Sequence, residues 1–186
     1  MNMISFMTII RCLFLALLSP ICSFSAELAQ KENSASSETI QFKPPIGWRN
    51  ADDSALPTHV KIMVVGKGES EFPPSISLAT ETYSGTLKQY LKVVKELNAS
   101  KGNAWKDLGT IQTEAGQASL SQTDNKSQWG EIKMMHVILK KNGTIYILTA
   151  AALKDEFPKF YQEIFTALRS FRFPSNEDQN ELSINL

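Results

Sequence analysis

The chain has 186 residues, with 19 Lys and Arg set against 19 Asp and Glu. This length suits one domain once the ends are set aside, and the balanced charge gives no electrostatic footprint for nucleic acid. Both cysteines, Cys12 and Cys22, stand near the N-terminus, so the rest of the chain forms neither a disulfide nor a thiolate metal site.

The N-terminus has the order of an export signal. Arg11 precedes an apolar run from Cys12 to Leu18, Pro20 ends the run, and small residues follow at Ser23, Ser25 and Ala26. The run is too short to span a bilayer. Cleavage is expected after Ser25, which places the product in the periplasm or outside the cell with no stable membrane insertion. Ile21 stands where a bacterial lipobox wants a small residue, which argues against lipid attachment at Cys22. Residues 26–38 are polar and Ser-rich and read as a flexible lead.

The folded domain is expected over residues 39–173. A strand over 39–42 runs into Phe42-Lys43-Pro44-Pro45-Ile46-Gly47-Trp48, where two prolines forbid helix. Trp48 reads as a plug for the end of the core, with a binding platform as the alternative. Strands follow over 60–65 and 76–83, separated by a loop that ends in Pro73-Pro74. Thr86 and Gln89 then have the Thr-x-x-Gln spacing of a capping box. Leu87, Tyr90, Leu91, Val94 and Leu97 give the helix after it an apolar stripe.

Two more strands are expected over 105–113 and 117–122, followed by a polar loop over 123–130 that carries Trp129. Residues 131–141 and 144–153 are apolar on both faces of a strand, so this sheet is covered by a layer on each side. Asn142-Gly143 between them is the dipeptide of a tight hairpin turn. The last helix carries Phe157, Phe160, Tyr161, Ile164, Phe165 and Leu168 at helical spacing. Residues 174–186 are polar and acidic and read as a disordered tail.

This order of elements resembles the PsbP-like family. That family holds the lumenal extrinsic subunits of photosystem II, their Ran-binding Mog relatives, and many exported bacterial proteins of unknown function. The resemblance rests on Phe42 to Trp48, on Ser84-Gly85-Thr86-Leu87 leading to Tyr90-Leu91, and on Gly143-Thr144-Ile145-Tyr146-Ile147-Leu148-Thr149. Phe157, Tyr161, Phe165 and the ending Ser170-Phe171-Arg172-Phe173 complete it. It implies an α+β fold in which an antiparallel sheet is sandwiched between helices. It carries over no site, because the family's metal and photosystem contacts have no motif here to attach to.

Catalytic chemistry is not evident. The two histidines, His59 and His136, lie far apart, and His136 reads as a satisfied core or edge residue. No metal, phosphate-loop, nucleophile-elbow or redox motif occurs, so no catalytic, metal or cofactor site is expected. The reading that remains is an exported, non-enzymatic binding or assembly module of the bacterial envelope with a protein partner. A chaperone-like protein that shields apolar segments is the alternative, and a hydrolase is the third. The helices occupy the sheet faces, so partner contacts are expected on the loops, at Trp129 first and Trp48 second.

Overall fold

The computed structural model describes residues 41–173. The expected signal, the polar lead and the acidic tail lie outside the described residues, as does the first half of the strand expected over 39–42. Of that strand, Gln41 exchanges backbone hydrogen bonds with Arg172 at 3.2 and 2.9 Å.

The elements in chain order are β1 (Arg49–Asn50), β2 (Val60–Val65), β3 (Ser75–Thr82), α1 (Leu87–Ser100), β4 (Ala104–Thr113), β5 (Gly116–Ser127), β6 (Gly130–Lys141), β7 (Thr144–Leu153) and α2 (Phe157–Arg169). The strands form one sheet of order β1-β2-β3-β7-β6-β5-β4, antiparallel throughout. The α+β architecture expected from the sequence is the one observed.

The central hairpin sets this arrangement. Asn142 and Gly143 both have positive φ, 49° and 79°, as its tight turn requires. Lys141 therefore registers with Thr144, the first of ten pairs that run to Ile132 and Leu153. On the front face Met135, Val137 and Leu139 of β6 lie beside Tyr146, Leu148 and Ala150 of β7. They pack with Ile164 and Leu168 of α2 and with Phe171 just beyond it. On the back face Ile138, Ile145 and Ile147 meet Tyr90, Leu87, Leu91 and Val94 of α1.

Helix α1 begins as its sequence dictates. Gln89 N donates to Thr86 Oγ1 at 3.2 Å, and Thr86 N donates back to Gln89 Oε1 at 2.8 Å. Thr86→Ala is expected to cost about 1 kcal/mol in urea denaturation, because it leaves one helix-end N–H without its acceptor. Lys92→Ala should cost less than about 0.5 kcal/mol. Its ammonium is exposed, with only a 3.8 Å surface ion pair to Glu96.

Two local expectations are corrected. Residues 123–127 continue β5, so the expected loop shrinks to a short turn at Gln128 and Trp129. This stretch looks like a loop because its residues are polar on both faces, yet Thr123 and Asn125 are buried. The stripe of α2 is also wider than its contact. Phe157, Ile164, Ala167 and Leu168 are buried, Phe165 is half-buried, and Tyr161 is 49% exposed.

Candidate functional site

Helix α2 covers only part of the front face. Between its Phe157–Tyr161–Phe165 flank and strands β4 to β6 lies an open slot of about 730 Å³, floored by Leu108, Leu120, Met135 and Phe157. A β-bulge shapes its outer wall. The register of β4 against β5 shifts between Asp107 and Gly109, Gly109 has φ +88°, and its N–H donates to Asp107 Oδ1 at 2.8 Å. That conformation favours glycine, and it sets Leu108 aside from the ladder so that it lines the slot. Tyr161 stacks on Phe165 at 4.4 Å on the helix side. Lys133, on β6, holds its ammonium 5.6 Å from the centre of the Phe157 ring.

The two expected contact residues reach the same end of the sheet but opposite faces. Trp48, just before β1, is half-buried on the front face. Its ring stands edge-on to Phe160 at 6.2 Å, and its Nε1 donates to Glu163 Oε2 at 3.3 Å. A Cβ on Gly66 would come within 2.7 Å of that ring, so glycine there makes room for the indole. Trp129 is half-buried on the back face, 5.7 Å from Phe72, and it helps cover Ile132, Met134 and Ala151. It is therefore less open than its polar neighbours suggest.

A polar seam crosses the back face between two apolar clusters. The register aligns Ser77, Thr149, His136 and Ser121 in one row across β3, β7, β6 and β5. His136 is buried, with Nδ1 3.0 Å from Thr149 Oγ1 and Nε2 3.2 Å from Thr123 Oγ1. It is the satisfied core histidine the sequence suggested. Burial pushes its pKa down to about 4, because charge is disfavoured away from water. Asp107 registers with Ser121, so the row holds the residue types of a hydrolase triad. Neither ring nitrogen of His136 engages Ser121, whose Oγ is buried without a hydrogen-bond partner. Asp107 Oδ1 is taken by the Gly109 N–H, so Ser121, His136 and Asp107 do not join into a triad. Among the described residues there is no group of three side chains suited to a metal ion. Among the same residues no helix is long and apolar enough to cross a membrane.

The seam had a faint sequence signal. Ser119, Ser121, Thr123 and Asn125 alternate along β5, a polar version of the period-two pattern. The slot had none, because it depends on where α2 crosses the sheet.

No protein-family model and no curated protein matches the sequence. Solved structures do match. LpqN of Mycobacterium tuberculosis, a protein involved in cell envelope biogenesis, aligns with a TM-score of 0.53 at 17% identity, over 76% of this chain and 87% of that one. The chain shares the LpqN fold. PA94 of Pseudomonas aeruginosa, a protein of unknown function, aligns with a TM-score of 0.50 at 12% identity, over 69% of this chain and 99% of that one. The cyanobacterial PsbP of Synechocystis has a TM-score of 0.48 at 14% identity, over 83% of this chain and 98% of that one. The α+β fold that the PsbP-like resemblance implied is the one observed. The likeness to LpqN, at its low identity, is likewise one of fold.

Proposed function

We propose that the chain is an exported, non-enzymatic binding or assembly module of the bacterial envelope. Its protein partner sits over the sheet end that carries Trp48 and Trp129. The observation that carries this reading is Ile46, whose side chain is wholly exposed beside the half-buried Trp48. An exposed aliphatic next to a large aromatic is the composition of an interface anchor. A partner seated across this end would also touch Trp129 on the far side. The involvement of LpqN in cell envelope biogenesis supports the setting.

Ile46→Glu tests the surface without touching the core. Its stability should stay within about 0.5 kcal/mol of the parent, since no buried group changes, while recovery of the envelope partner in a pull-down falls. Trp129→Ala should reduce recovery too, at a folding cost of about 1–3 kcal/mol from its lost packing on Phe72. Full recovery with both variants would place the interface elsewhere. Mass spectrometry of the recovered chain should find it starting at Ala26, and a lipid-bearing start at Cys22 would overturn the soluble form.

A further inference from the structure

The turn that sets the central hairpin also carries a reaction. In an Asn-Gly pair the side-chain amide carbon of the first residue is one ring closure from the backbone nitrogen of the second. Glycine brings no side chain to shield that nitrogen. Asn142 is exposed, and a Cβ at Gly143 would meet nothing within 4 Å. Among the described residues no hydrogen bond holds the Asn142 side chain or the Gly143 N–H. Tyr83 N donates to Gly143 O at 2.8 Å, which leaves the glycine nitrogen free.

The other described asparagines are each restrained at one group or the other. Ala51 N, which follows Asn50, donates to Met63 O at 2.9 Å. Asn98 Nδ2 donates to Val94 O at 2.9 Å, and Asn103 Nδ2 donates to Asn98 Oδ1 at 3.2 Å. Asn125 is buried, with its amide on the Met134 sulfur.

We propose that Asn142 is a site of spontaneous deamidation and that its isoaspartyl product loosens the hairpin. The Gly143 nitrogen gives up its proton to base and attacks Asn142 Cγ. The bond from Cγ to the side-chain nitrogen breaks, and that nitrogen takes a proton from solvent and leaves as ammonia. A five-membered cyclic imide remains, which water opens. Breaking the new Cγ–N bond leaves aspartate. Breaking the original C–N bond leaves isoaspartate, with the main chain routed through the side-chain carbon. The balance is one water in and one ammonia out, with no change of oxidation state.

The two products differ in their effect on the fold. Aspartate keeps the turn, because Asp-Gly accepts the same positive φ values. Isoaspartate inserts a methylene into a two-residue turn. The Lys141–Thr144 pair and the Tyr83 N–Gly143 O contact are built on the shorter path, so this end of β6 and β7 frays. The same end receives α1, where Lys140 donates to Gly85 O just before the helix. It is the far end of β6 from Trp129, so the proposal is independent of the partner reading.

Ageing the protein as isolated from cells in mildly alkaline buffer tests the proposal. Peptide mass spectrometry should show a gain of one mass unit at Asn142 before the other described asparagines, and sooner as pH rises. Isoaspartyl residues, counted by methyl transfer from an isoaspartyl methyltransferase, should accumulate in that peptide. A second thermal transition, below that of the fresh protein, should grow in step with them. Asn142→Gly has no amide to lose and keeps a Gly-Gly turn of the same type, so it should age without either change. A gain that comes first at another of these asparagines would overturn the proposal, as would one at Asn142 that needs unfolding in urea. So would an isoaspartyl fraction that melts with the fresh protein, or the same lower transition in aged Asn142→Gly.

Discussion

Phe171→Ala is expected to lower the stability of the domain by about 3–5 kcal/mol, the range for emptying a buried aromatic site. The residue is 1% exposed and lies just past α2. Its ring contacts Tyr146 of β7 at 6.3 Å and Phe173 at 5.6 Å. Its carbonyl accepts from Ala115 N at 2.7 Å in the β4–β5 turn, and the next residue pairs with Gln41. One side chain thus fixes the return of the chain across the front face, and the cavity left by its loss has rigid walls. Ile147→Ala on the back face should cost roughly 2–5 kcal/mol, being buried under α1. Phe165→Ala should cost less than either, because that ring is half-buried and its stacking partner Tyr161 is open to solvent. Urea denaturation of the three variants gives the order. A larger loss for Phe165 than for Phe171 would mean that the faces of α2 are wrongly assigned.

Acid should weaken the fold through His136. Its pKa in the folded chain is about 4, against roughly 6.5 for an unfolded histidine. Between those values the unfolded chain binds the proton and the folded chain does not. Stability is therefore fully present above about pH 6.5, falls as pH drops, and is about 3 kcal/mol lower once pH passes below 4. Glu81 acts in the opposite sense. Burial raises its pKa, so it recovers some stability on acidification. The comparison that isolates His136 is the pH slope of the parent against that of His136→Gln, which should be shallower over this window. Equal slopes would show that the imidazole takes up its proton without disturbing the seam.

The parts of this fold legible in the sequence are those fixed by local chemistry. Asn142-Gly143 determines a hairpin because its two residues accept positive φ, and Thr86 with Gln89 determines a helix start because each satisfies a backbone group of the other. The two-faced apolar pattern of β6 and β7 required two covering layers, and α1 and α2 supply them. What escaped the sequence depends on placement in space. Thr123 and Asn125 looked solvated, yet both lie inside, Thr123 against the His136 ring and Asn125 opposite Ile132 with its amide on the Met134 sulfur. Trp129 looked open, yet Phe72 arrives against it from a loop more than fifty residues earlier in the chain. The slot exists because α2 leaves part of β4 to β6 uncovered, and no periodicity records that.

The bulge in β4 also governs how copies of the chain meet one another. A ten-residue strand at a sheet margin offers a row of free amides and carbonyls on which a neighbouring molecule can lay its own strand. Here the row is broken in its middle by the turned-out Leu108 and flanked by charged Lys106 and Asp107. At the opposite margin β1 is only two residues long, too short to template anything. Among the described residues the β4 margin therefore presents no continuous ten-residue ladder, and such breaks in an edge disfavour strand-by-strand growth.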